Sequence, residues 1–175
     1  MFSGCIFDRL LIDVPYRSQE DSDARNYRND CGPACAAMLL AKAGINLSID
    51  ALSAQTTLRN IDNGLACWQV AALLRRNGLQ AVSKQLQLSD IISELNAART
   101  PIALINYGCI PGRQNVSDRA GHFVVVVGYS PESIYIHDPD FWGARRSEGR
   151  NFEVSRADFD AALRSSPAPF WCITP

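Results

Sequence analysis

Histidine is scarce in this chain, with only His122 and His137 among 175 residues, so any chemistry needing an imidazole base must run through one of the two. An excess of charge of either sign is also lacking. The formal net charge is -1 and the basic residues are scattered, so no concentrated positive field exists for nucleic acid or anionic lipid, and neither is expected as a partner. No apolar run approaches the roughly 18 to 20 residues of a membrane-spanning helix. The opening MFSGCIFDRLLIDVPY has no basic start followed by a long apolar stretch, and Asp8, Arg9 and Asp13 interrupt it. No signal peptide is therefore read, and the expectation is a cytoplasmic chain without a membrane span. Repeats, low-complexity tracts and long Pro/Gly/Ser linkers are absent as well. What is present, 47% apolar and 20% charged residues, matches a folded globular protein, and the length suits one domain over residues 1–175.

The six cysteines, Cys5, Cys31, Cys35, Cys67, Cys109 and Cys172, form no dense, regular framework, so reduced thiols are expected rather than bridges. They also lack the paired short spacings of a zinc site, and neither a metal nor a cofactor is expected. Most sit in apolar contexts such as GLACWQV, NYGCIPG and FWCITP, where a cysteine acts as a small buried hydrophobe.

Helical patterns fill the first part of the chain. DCGPACAAMLLAKAG carries an alanine- and leucine-rich run from Asp30, a candidate cap, to Gly44 as the stop. Ser48 opens a short helix to about Gln55, LACWQVAALLRRNG runs to Gly78, and Ser89 is read as the cap of DIISELNAA, which Pro101 forbids from continuing. After Pro101 the runs become short, β-branched and aromatic: IALINYG, HFVVVVGY, SIYIHD and FWCITP read as strands. VVVV is too continuous for a one-sided strand, which places HFVVVVGY in the centre of a sheet covered on both faces. SPES is a hairpin turn, CIPGRQNVSDRAG a long polar loop, and Ser155 the cap of a last helix, RADFDAAL. The predicted class is α+β, a helical half packed on an antiparallel sheet half with a cleft where the first helix meets the sheet.

Cys31 begins the first helix, and a thiol at a helix N-terminus beside a histidine is the arrangement that activates a cysteine nucleophile. Gly32 and Pro33 suit that start, since proline in the first turn lacks an N–H that would be unpaired anyway. A cysteine merely packed in the helix is the plain alternative. His122, following Gly121 at the start of the central strand, is the better candidate base, and alternation along SIYIHD sends His137 away from it if Asp138 points towards it. Asp138 is the candidate acceptor that orients the imidazole, with Asp140 as fallback. Gln19 in VPYRSQ is a candidate donor to an oxyanion, though spacing alone says little of it.

Taken in order, these segments resemble the bacteriocin-processing peptidases and the wider papain-like cysteine peptidase superfamily. VPYRSQ is similar to the oxyanion glutamine segment, NDCGPACAAMLLAKAG to the nucleophile helix, and GHFVVVVGY with SIYIHDPD to the histidine strand and aspartate-proline turn. The resemblance spans positions 14 to 140. It implies a papain-like fold, Cys31 as nucleophile, His122 as base, Asp138 as orienting acid, Gln19 as oxyanion residue, and a peptide or protein substrate. Two features set this chain apart from the transporter-linked members: eleven residues separate Gln19 from Cys31, and no transporter segment follows. A stand-alone relative is expected, without the double-glycine leader specificity, and EDSDARNYRN is either a flap beside the cleft or an exposed loop.

The leading functional expectation is hydrolysis of peptide or isopeptide bonds through a thioester on Cys31. The alternatives are acyl transfer or deamidation through the same thioester, and a peptide-binding module of the same fold without turnover.

Overall fold

The computed structural model describes residues 9–21, 23–24, 29–56, 64–113 and 121–175. In chain order its elements are β1 (Leu10–Leu11), α1 (Cys31–Lys42), α2 (Ile49–Ala54), α3 (Cys67–Arg76), β2 (Val82–Gln85), α4 (Leu88–Asn96), β3 (Ile102–Asn106), β4 (Gly121–Tyr129), β5 (Ser133–His137), β6 (Phe152–Ser155), α5 (Arg156–Arg164) and β7 (Trp171–Thr174). Among the described residues no helix is long and apolar enough to cross a membrane.

Helix α1 is apolar around most of its circumference, and Gly32 through Leu40 are all buried, as befits a helix enclosed by other elements. It stops where Gly44 takes φ +82°, a conformation that costs a residue without Cβ little. Asp30 stands at its N-cap without capping it by side chain. That buried carboxylate accepts a hydrogen bond from Ser53 Oγ of α2 at 2.5 Å, tying the two helices together. The caps expected of Ser48 and Ser155 are made, to the N–H groups of Ala51 and Asp158. Ser89 does not cap α4. The helix starts two residues earlier, at Leu88 with Gln87 as its N-cap, and Asp90, at the third helical position, accepts from the Gln87 N–H at 2.9 Å, the reach-back half of a capping box that satisfies the donor of the cap residue itself.

The strands form one seven-stranded antiparallel sheet ordered β2-β7-β3-β4-β5-β6, with β1 pairing to the far end of β4. Both its faces are covered. Val125, Val127, Phe123, Ile102 and Leu104 join the core under α1 to α3, while Val124, Val126, Ala103, Ile105 and Ile136 join the core under α4 and α5. Alternation along β4 thus splits the valine run between two cores. Val124 through Val127 are each fully buried, at a gain on the order of 1.5 kcal/mol or more per side chain.

Besides the two-residue β1, the strands β2 and β6 fall outside the runs read as strands in the sequence. Both edge the sheet, and VSKQ and FEVS bury too little for an apolar pattern to show. The helical part of the chain also contributes β1 and β2, and the sheet part carries α5, the last helix expected from the sequence.

Candidate active site

Each element of the site is delivered by an element end. Cys31 is the first residue of α1, partly exposed, where the N–H groups of the first turn lack partners within the helix. His122 is the second residue of β4, and Asp138 follows the last residue of β5. Antiparallel pairing of these two strands across the SPES turn, closed by Ser130 N–H to the Ser133 carbonyl at 2.9 Å, brings the two residues together.

His122 Nε2 lies 2.8 Å from Asp138 Oδ1. An ionised carboxylate only accepts, so Nε2 carries the proton and Nδ1 is left to face elsewhere. The other side-chain partner of the ring is Cys31. One imidazole therefore bonds the Asp138 carboxylate and has its proton affinity raised by Cys31 as well, two residues that lie 107 positions apart in the chain, from 31 to 138. Burial alone would make the ring harder to protonate, but Asp138, at full Coulombic strength in the same dry site, prevails and raises the pKa from 6.5 to about 10. Asp138 shows the reciprocal balance: burial pushes its pKa up, while the His122 charge, the hydrogen bonds from His122 and Asp140 N–H, and nearby Arg113 hold it below the usual carboxylate range.

That carboxylate is fully buried and its remaining valences are filled. Oδ1 also accepts from Asp140 N–H at 3.0 Å, and Oδ2 accepts from the Tyr107 hydroxyl at 2.9 Å. Arg113 stands 3.8 Å from Oδ2 and stacks on Phe141 with its guanidinium 3.8 Å from the ring centroid. Tyr107 also covers the imidazole, with ring centroids 4.1 Å apart and planes inclined by 30°. Neither Tyr107 nor Arg113 stood out in the sequence. Tyr107 reads there as one more aromatic at a strand end, and the only hint is that a buried tyrosine hydroxyl needs a partner.

Gln19 is buried, at 5% exposure, and its contact is with the sequence's fallback acid: Nε2 donates to Asp140 Oδ1 at 3.1 Å. Its Oε1 is buried and has no hydrogen-bond partner among the described residues. The segment carrying Gln19 is laced to the turn after β5. Tyr16 Oη donates to the Asp138 carbonyl at 2.8 Å, and Ser18 Oγ and the Gln19 N–H both donate to the Pro139 carbonyl, at 3.2 and 2.9 Å. Just beyond it, Asp21 and Asp23 of the inserted stretch are held by Arg17, and Asp21 also by Arg146. Residues 22 and 25–28 of that stretch, and 114–120 of the loop leading to β4, lie outside the described residues.

His137 points to the other face of the sheet. Its Nε2 donates to the Val14 carbonyl at 2.9 Å, its Nδ1 accepts the Asn151 N–H at 3.1 Å, and burial makes it harder to protonate. Both nitrogens of that ring are occupied by backbone. Cys35, Cys67, Cys109 and Cys172 are free thiols like Cys31, and burial raises the pKa of Cys35, Cys67 and Cys172, that of Cys67 to about 12. Cys5 lies outside the described residues. Among the described residues no group of three or more His, Cys, Asp or Glu side chains is placed to hold a metal ion.

A family model described as the Peptidase_C39 like family matches residues 11–161, a span containing every residue of the site. No curated protein matches the chain. Among solved structures, a Bacillus anthracis protein assigned as a C39-like peptidase superposes with a TM-score of 0.71 at 18% identity, covering 95% of this chain and 96% of that one. A double glycine motif protease from an AMS/PCAT transporter, solved in complex with its leader peptide, gives 0.65 at 19% identity, covering 95% and 94%. The peptidase domain of Streptococcus ComA, a bi-functional ABC transporter of a quorum-sensing pathway, gives 0.62 at 17% identity, covering 95% and 96%. At these identities the likeness carries the papain-like α+β fold.

Proposed function

The chain belongs to the Peptidase_C39 like family, and from that premise and the geometry of its site we propose that it hydrolyses peptide or isopeptide bonds through a thioester formed on Cys31. The observation that supports this most directly is the single imidazole of His122 held between the Cys31 thiol and the Asp138 carboxylate.

In this reading the Cys31 proton is already held on Nδ1 of His122 in the resting site, where Asp138, bonded to Nε2, stabilises the imidazolium and fixes the ring's orientation. The sulfur adds to the scissile carbonyl. The resulting oxyanion takes hydrogen bonds from the Cys31 backbone N–H, free of helical partners at the start of α1, and from the Gln19 side chain. Collapse expels the amine, which leaves with the proton from His122. Water, deprotonated by the same imidazole, then resolves the thioester.

The peptide-bound neighbour supports a peptide segment as substrate. Its leader specificity is not carried over, because the stretch between Gln19 and Cys31 differs here from the transporter-linked pattern.

A library of peptide-based thiol probes, with mapping of the modified cysteine, tests the reading. The expected result is covalent capture at Cys31 in the native protein and no turnover of the captured peptide sequences by Cys31→Ala. Hydrolysis that survives Cys31→Ala would end it. The product mass after a single turnover separates hydrolysis from transfer to an amine and from deamidation.

A further inference from the structure

The Gln19 carboxamide has two ends of nearly equal shape and opposite function. Only the NH2 end can donate to an oxyanion, and the terminal torsion of a glutamine is broad enough to admit either orientation. One neighbour distinguishes the two. Asp140 Oδ1 accepts from Gln19 Nε2 at 3.1 Å, whereas the flipped amide would set Oε1 against that oxygen, two acceptors with no proton between them. Nε2 carries two hydrogens, so one bond to Asp140 fixes the group and leaves the second N–H to donate elsewhere. The buried Oε1 has no hydrogen-bond partner among the described residues, so there the orientation rests on the Nε2 end of the amide.

Asp140 is itself fixed on three sides. Its N–H donates to Asp138 Oδ1 at 3.0 Å, its carbonyl accepts from Arg113 at 3.2 Å, and its Oδ2 lies 3.1 Å from the Tyr107 hydroxyl. That hydroxyl has one proton facing two carboxylates, Asp140 and Asp138, and its ring covers His122. The orientation of the carboxamide is thereby referred to the same atoms that orient the imidazole.

We propose that Asp140 is the positioning residue for Gln19: it acts through the carboxamide, turning its N–H donors towards the oxyanion, and does not itself touch substrate. The proposal rests on the reading of Cys31 and Gln19 given above.

The test compares two reactions of the same sulfur. Acylation by p-nitrophenyl acetate, read as the burst of p-nitrophenolate, passes through an oxyanion; alkylation by iodoacetamide is a displacement that does not. Loss of one oxyanion donor costs about 100-fold or more, so Gln19→Ala should slow acylation by about that factor while alkylation of Cys31 stays within about threefold. Asp140→Ala should slow acylation roughly 10-fold, also with alkylation within about threefold, and should cost nothing further in the Gln19→Ala background, as expected of a residue that acts through another. Asp140→Asn keeps an acceptor oxygen and should retain most of the rate. Where the alanine variant does not fold, Asp140→Ser, too short to reach the carboxamide, is read the same way.

The proposal is overturned if Asp140→Ala acylates within twofold of the unsubstituted protein, if both reactions fall together, or if the penalty persists without Gln19. An unsubstituted protein that shows no burst dependent on Cys31 would instead bring down the peptidase reading, and the positioning role with it.

Discussion

Tyr107 lies face to face with His122, 4.1 Å between ring centroids, while its hydroxyl bonds the carboxylate that holds the same imidazole. One side chain thus excludes water from the His122–Asp138 bond and completes the coordination of Asp138. In a site of low effective dielectric that bond is stronger than it would be in water.

Removing only the hydroxyl separates the two roles. Tyr107→Phe keeps the ring but leaves Asp138 Oδ2 and Asp140 Oδ2 without this donor, and is expected to destabilise the fold by about 1–3 kcal/mol in urea unfolding. Tyr107→Ala also admits water, so the imidazole titration followed by NMR should move down from about 10 towards the ordinary histidine value. A titration that does not move would show that the ring does not insulate the pair.

Stability should fall as pH rises through the alkaline range. His122 has its pKa raised from 6.5 to about 10, so its contribution is complete below about 6.5 and is lost as pH climbs through about 10. Asp138 has a depressed pKa, so its contribution is complete above the ordinary carboxylate value and is lost only in stronger acid. The unfolding free energy should therefore decline between about pH 6.5 and 10, with a slope of up to roughly 1.4 kcal/mol per pH unit, and Asp138→Asn should flatten it. Equal slopes in the two proteins would contradict the assignment.

Thiol accessibility orders the cysteines. Cys31 and Cys109 are partly exposed, whereas Cys35, Cys67 and Cys172 are buried and held as thiols by burial. Brief treatment with iodoacetamide, read by peptide mass mapping, should modify Cys31 first and Cys109 more slowly, with the other three reacting only after denaturation. Cys35 or Cys172 labelling at the rate of Cys31 in the native protein would refute this order.

Gly149 is required by close approach. A Cβ there would overlap the Tyr16 hydroxyl and the Asp138 carbonyl, and the Gly149 carbonyl accepts the Asp138 N–H at 2.9 Å. Gly149→Ala should cost about 1–3 kcal/mol and lower peptide turnover by displacing the turn that carries Asp138. Thermal unfolding and turnover, measured together, check this. Gly44→Ala, which meets no neighbour within 4 Å but sits at φ +82°, should lose stability alone.

The helices and inner strands were legible because their signals are local. An alanine-rich run ending in glycine, serine caps before Ala51 and Asp158, and a four-valine run each follow from the contents of a few neighbouring positions. The edge strands β2 and β6 and the true start of α4 were not, since a short half-exposed strand has little apolar pattern and a cap can be supplied from more than one position.

Of the site, the amino-acid sequence by itself determined the cast: two histidines to choose between, a cysteine opening the first helix, and Asp138 at a strand end where alternation turns it opposite to His137. Tertiary structure alone decided that Tyr107 and Arg113 belong with them and that Gln19 meets Asp140. Those contacts join residues from 27 to 121 positions apart, and such pairings depend on how β3, β4, β5 and the segment before α1 converge, which no local pattern encodes.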